Sequence, residues 1–179
     1  MNHVRRTSQG TGQITCDELS KFGQGSVLES GVLVFHPHNV EIGENVYIGH
    51  NTILKGYHIN KLVIGDGSWI GQQCLLNSAG GIAIGRNVGI GPGTKIITSF
   101  HLEEGIDKPI LHCRLGFAPV AIEDDADIGV GTIILPGVTI GRGVQVGAGS
   151  VVTHNVADYD VVAGVPARTL RNRRQRGAT

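Results

Sequence analysis

Residues 122–147, "IEDDADIGVGTIILPGVTIGRGVQVG", place an aliphatic side chain at every sixth position: Ile122, Ile128, Ile134, Ile140 and Val146, three of them followed directly by Gly. A step of six is neither the period of a helix nor the two-residue alternation of a single strand sustained along a chain. It describes a short extended face, a turn and another face, with Gly where the backbone must approach closely or take positive φ. Three such faces return the chain to its start, so about eighteen residues make one coil of a triangular prism.

The motif continues outward from this stretch. Ile42-Gly43 and Ile48-Gly49, Ile64-Gly65 and Ile70-Gly71, Ile84-Gly85 and Ile90-Gly91 all repeat it. Ile42, Ile48 and Leu54, like Ile128, Ile134 and Ile140, then point into the prism and stack on their equivalents in the next coil. The phase breaks in three places. Leu54 to Ile64 and Leu76 to Ile84 are short enough to be enlarged corners. The gap from Ile96 to Ile122 is not, so residues 99–119, "SFHLEEGIDKPILHCRLGFAP", must leave the prism as an extruded loop. With Phe100, Ile110, Leu111, Leu115 and Phe117 it is too apolar for a free linker and should pack on something, such as a neighbouring subunit.

Bulk composition agrees with many tight turns joining short strands. Gly accounts for 28 of 179 residues, more than twice the ~7% of an average chain. The charge is balanced, with 15 basic and 15 acidic side chains, which argues against nucleic acid or an anionic membrane as partner. Cys16, Cys74 and Cys113 form no C-x-x-C pair and read as reduced thiols. No apolar run is long enough to insert in a membrane, and Met1 to Arg6 lead into a polar stretch, so the expected address is cytoplasmic.

The repeat resembles the hexapeptide-repeat acyltransferase superfamily over roughly residues 27–171. That resemblance implies an all-β fold, a left-handed parallel β-helix, with a short C-terminal tail that could be helical. The implied organisation is an N-terminal extension at 1–26, the β-helix at 27–157 and a C-terminal segment with basic tail at 158–179. Within the superfamily, "TSFH" at 98–101 and "FAPVAIEDDADIGVGTIILPGVTIGRGVQVGAGSVVTHNVADYDVVAGVPAR" at 117–168 resemble the maltose, galactoside and polysaccharide O-acetyltransferases. His101 then stands where those enzymes carry the catalytic base.

The chemistry asks for such a group. Acyl transfer from a thioester to a hydroxyl needs a base that removes the acceptor proton as the bond forms, and a neutral imidazole suits that task near pH 7. A backbone N–H at a coil corner could hold the oxyanion. No acyl-enzyme is needed, so Cys113 reads as a packing thiol. Glu103 and Glu104 read as a solvated face. By the same resemblance, acetyl-CoA is the donor and its contacts fall on Val130, Ala148, Thr153, His154, Arg168 and Arg171. Arg173, Arg174 and Arg176 read instead as a frayed tail.

The acceptor side departs from the family pattern: residues 1–26 lack its helical segment, and Gly71 occupies the position of its acceptor-binding Asn. Tyr57, Asn77 and His112 are the candidate substitutes. The resulting expectation is an acetyl-CoA-dependent O-acetyltransferase acting on a sugar or polysaccharide precursor, as a homotrimer with sites between subunits. An N-acetyltransferase of a nucleotide-linked amino sugar is the alternative. More distant are a γ-carbonic-anhydrase-like metal enzyme using His50, His58, His101 and His112, though no metal is expected, and a non-catalytic solenoid.

Overall fold

A computed structural model describes residues 8–177; the reading of Met1 to Arg6 and the very end of the tail lie outside the described residues. The chain winds as a left-handed β-helix of about seven turns. Its strands, two or three residues long in the coils, build three parallel sheets, here faces A, B and C, which meet at edges A/B, B/C and C/A.

Each face contributes one inward column, and the columns explain the six-residue period. Ile42, Ile64, Ile84, Ile122 and Ile140 stack in register on face A. Ile48, Ile70, Ile90, Ile128 and Val146 do so on face B, and Leu54, Leu76, Ile96, Ile134 and Val152 on face C. All are at most 3% exposed. Such parallel coils cannot bury an apolar face alone; the hydrophobic gain comes from stacking the next coil.

Corners carry a feature that the period does not announce. Thr52, Ser68, Thr132 and Ser150 are fully or almost fully buried, and their hydroxyls donate to the corner carbonyls of Gly71, Gly85, Gly129 and Gly147 at 2.6–2.9 Å. No buried side-chain polar atom is left unpaired among the described residues.

Both ends differ from a simple extension and tail. Lys21–Phe22 already pairs with Glu41 and Ile42, so the coil stack begins before residue 27. At the other end, Asp160–Gly164 joins face B, and Ala167–Asn172 folds back antiparallel on it. The terminal segment is therefore a β-hairpin, and its helical content is a 3-10 turn at Arg173–Gly177. Arg173 and Arg174 are not frayed: Arg173 donates to the Gly143 carbonyl and Arg174 stacks 4.1 Å over Tyr159. No helix among the described residues is long and apolar enough to cross a membrane.

Candidate active site

The long interruption leaves the prism at edge C/A. Face C delivers Lys95–Ile97, and Ile84 of face A pairs directly with Ile122 on the far side of the excursion. Between them Ser99–His101 and Leu115–Phe117 form an antiparallel hairpin, so the loop is built at its base. Thr98 anchors it there: its buried hydroxyl donates to the Asn77 carbonyl at 2.7 Å, and its own carbonyl accepts the Ala118 N–H at 3.0 Å. Gly116 leaves room for the Phe100 ring, which an added Cβ would meet at 2.7 Å.

His101 is half-buried at the end of this hairpin, and its Nδ1 lies 3.3 Å from the carbonyl oxygen of Cys113. A carbonyl only accepts, so Nδ1 carries the proton and Nε2 is the acceptor nitrogen. The carbonyl is itself fixed. Residues Ile110–His112 form a 3-10 turn closed by the Cys113 N–H on Ile110 O at 3.0 Å, and the Cys113 side chain is 6% exposed. Cys113 thus contributes its backbone, and its thiol packs.

Glu104 has a different place from the solvated face expected of it. It bonds both Lys108 and Arg114 across the loop, and those donors hold its carboxyl down at about 2. The pairs brace the loop and leave His101 to the Cys113 carbonyl. Glu103 is exposed.

The remaining predicted residues separate by edge. Tyr57 sits in an enlarged corner of edge C/A with its ring 5.8 Å from Phe117 of the hairpin. Asn77 ends the face C strand beneath the hairpin, in register with Ile97. His112 is exposed on the 3-10 turn. Thr153 and His154 occupy the same edge in a later coil, hydrogen-bonded to each other at 2.8 Å. Gly71, in contrast, lies on edge B/C, where an added Cβ would meet Pro92 N at 2.5 Å, so no Asn could stand there.

Edge B/C holds Val130 and Ala148, both exposed. Its corners change character along the prism. The left-handed position is Gly31 in the first coil, where a Cβ would meet Asn51 Oδ1 at 2.2 Å, then Asn51 and Gln73 with φ of 58° and 56°, and Gly93, Gly131 and Gly149 in the later coils, with φ of 72°, 69° and 68°. A Cβ on Gly131 or Gly149 would meet nothing within 4 Å. Packing therefore does not demand these glycines, and the result is a strip of bare backbone beside Val130 and Ala148. Arg168 and Arg171 are exposed on the terminal hairpin of face B, opposite Ala163 and Val161. The donor candidates of one copy thus do not converge: some flank the bare strip and others stand on the edge of the hairpin. His50 hydrogen-bonds Ser30 on edge B/C, away from the hairpin.

Residues 119–154 match the family described as hexapeptide repeat of succinyl-transferase. Galactoside O-acetyltransferase of Lactococcus lactis is 32% identical over 157 residues, 86% of this chain and 73% of that protein. AntD, an N-acyltransferase of Bacillus cereus solved with dTDP and 3-hydroxybutyryl-CoA, superposes with a TM-score of 0.78 at 26% identity, covering 89% of this chain and 86% of AntD. A hexapeptide-repeat acetyltransferase of Vibrio cholerae, solved with acetyl coenzyme A, gives 0.65 at 27% identity over 87% of this chain and 72% of that one. The chain spans about half the length of several other acetyltransferases it matches.

Proposed function

Because the chain belongs to the hexapeptide-repeat acyltransferase superfamily, we propose that it is an acetyl-CoA-dependent O-acetyltransferase of a sugar or polysaccharide precursor, with His101 as general base. The observation that carries this reading is the Nδ1 contact of His101 with the Cys113 carbonyl at 3.3 Å, which leaves Nε2 free to take a proton. In the proposed step the acceptor oxygen attacks the thioester carbonyl while its proton passes to Nε2. The tetrahedral intermediate then collapses, the C–S bond breaks, and the CoA thiolate takes the proton back from the imidazolium. The carbonyl of Cys113 favours the charged ring during that interval, much as an acidic partner would.

The bare strip on edge B/C is the proposed path of the pantetheine arm beside Val130 and Ala148, since a thin chain needs a groove without side chains. Arg168 and Arg171 offer guanidinium groups for the phosphates, and Thr153 and His154 complete the donor contacts from edge C/A. Threefold symmetry would unite the two edges. Face C lies between them, and its outward column, Leu33, Ile53, Leu75, Lys95, Ile133 and Val151, is aliphatic except at Lys95. With face C turned to a threefold axis, edge B/C of one copy meets edge C/A of the next. A homotrimer then places the hairpin of one copy over the strip of its neighbour and covers the exposed Phe100, Leu115 and Phe117. Supply of acetyl-CoA from the cytoplasm fits this reading.

The likeness to AntD supports a second acceptor, the amine of a nucleotide-linked amino sugar, with the same base. A screen of sugar acceptors with acetyl-CoA, reading free thiol release and product mass, tests both. The expected product is an O-acetyl sugar; an N-acetyl product would select the second acceptor. Thioester cleavage at background with every sugar would overturn the proposal.

A further inference from the structure

Edge C/A carries, in the coils before the hairpin, four basic side chains that neither the repeat nor the proposed acetyl transfer uses. His36 stands in the left-handed region with φ of 53°, immediately ahead of the 3-10 turn Pro37–Asn39 that contains His38. Lys55 lies in register with Phe35 on the next coil, and His58 occupies the enlarged corner that follows. The ring centroids of His36 and His38 are 6.0 Å apart, those of His36 and Tyr57 6.4 Å, and those of Tyr57 and His58 4.3 Å.

No carboxylate answers this cluster. Among the described residues none of the four joins an ion pair, and Glu41, the first acid after His38, is held by Lys61. Partial burial, together with His38, Lys55 and His58, pushes His36 below the usual histidine range. Like-signed groups gathered without a counter-charge disfavour their own protonation, and a bound anion relieves that repulsion. Imidazolium and ammonium groups offer only donors, which suits phosphate and carboxylate oxygens.

We infer that His36, His38, Lys55 and His58 form an anion subsite that receives a phosphate or carboxylate group of the acceptor, away from the atom that is acylated. This rests on the acetyl-transfer reading for the word acceptor, but the binding itself does not. Tyr57 joins the subsite to the reaction centre: its ring touches Phe117, which pairs with Ser99 two residues before His101. A flat ring between a charged pocket and a base is a surface on which a sugar can lie. The acceptor class that follows is an acidic sugar, a sugar phosphate or a nucleotide-linked sugar. The groups facing His36 are His38, Lys55, Tyr57 and His58, none of them a carboxylate, so a bound anion supplies the counter-charge that this corner lacks.

The test is a histidine side-chain NMR titration of the full chain with inorganic diphosphate, glucuronate and acetyl-CoA in separate arms. The resonances of His36, His38 and His58 are expected to move with diphosphate or glucuronate, while His154 does not. In His38→Gln/His58→Gln, both exposed positions, the diphosphate affinity should fall at least tenfold, with the thermal shift caused by acetyl-CoA retained. Equal movement of all eight histidines, or none with either small anion, would overturn the subsite. Movement with acetyl-CoA alone would give the corner to the donor phosphates and overturn its assignment to the acceptor. Absence of any acetyl-CoA thermal shift in the unaltered chain would count against the transferase reading and leave the anion titration to be judged by itself.

Discussion

Replacing Gly131 and Gly149 by Asn separates what the fold needs from what a donor groove needs. Both glycines hold positive φ, and neither position has an atom within 4 Å of a built Cβ, while Asn51 shows that an Asn is accepted at the equivalent corner of an earlier coil. The expected cost of each substitution is the left-handed backbone alone, about 1 kcal/mol relative to Gly. In a chain of this size that lowers Tm by about 2–4 °C. The effect on donor binding should be larger. A side chain standing in the strip lifts a pantetheine arm away from Val130 and Ala148, and losing contact for two or three methylenes at ~0.8 kcal/mol each costs about 2 kcal/mol. That is about 30-fold in KM for acetyl-CoA, with kcat at saturation largely kept. Steady-state kinetics over a range of acetyl-CoA concentrations, beside a thermal melt of each variant, measure both quantities. An unchanged KM in both variants would refute the placement of the donor on edge B/C. A Tm loss beyond about 10 °C would refute the argument that packing leaves these glycines free.

Gly129→Ala should behave in the opposite way. Its Cβ would fall 2.5 Å from Ala148 N and 2.7 Å from Val146 O, backbone atoms that cannot rotate aside, so a loss of about 3 kcal/mol or more is expected in chemical denaturation. His101→Ala should lower kcat by about 10²–10⁴ with acetyl-CoA affinity intact, and an equal loss of affinity by calorimetry would make the residue structural. Arg168→Ala should raise KM for acetyl-CoA with little change in kcat; a pure kcat effect would remove the guanidinium from the donor site. Glu104→Gln should open the loop, seen as faster hydrogen exchange at residues 105–114. Lys108 and Arg114 hold the folded Glu104 carboxyl at about 2, well below the usual carboxylate range. Its bracing contribution is therefore present above the unfolded value and lost as pH falls from about 5 towards 2, and exchange in the loop should rise over that window. A loop whose exchange is indifferent to both the substitution and acid would refute the brace.

The inward columns were legible because their signal is local and redundant. Ile128 reports its own orientation through Ile122 and Ile134, and each neighbouring column repeats the report, so one irregular corner cannot hide it. The interruption at 99–119 was equally legible as a loss of phase. Its internal structure was not, because the hairpin depends on Ser99 meeting Phe117, a pairing with no period behind it. The terminal hairpin escaped for a related reason: "RTLRNRRQR" shows no strand alternation strong enough to outweigh its charge, yet face B offers an open edge at Asp160–Gly164 that Ala167–Asn172 can pair with.

The partner of His101 marks the sharper limit. A search of side chains near in sequence offers Glu103 and Glu104, since carboxylates are the usual orienters of imidazole. The group within reach is instead a main-chain carbonyl, which every residue possesses and no sequence pattern distinguishes. Only the 3-10 turn at Ile110–His112 and the burial of the Cys113 side chain aim that carbonyl at Nδ1. Glu104 meanwhile spends its charge on Lys108 and Arg114, and so acts on His101 at one remove, by keeping the turn where it is. The same reasoning explains why the basic cluster at His36, His38, Lys55 and His58 was invisible along the chain. Coil stacking brings Phe35 and Lys55 into register, and that register, not proximity in sequence, gathers the four basic side chains at one corner.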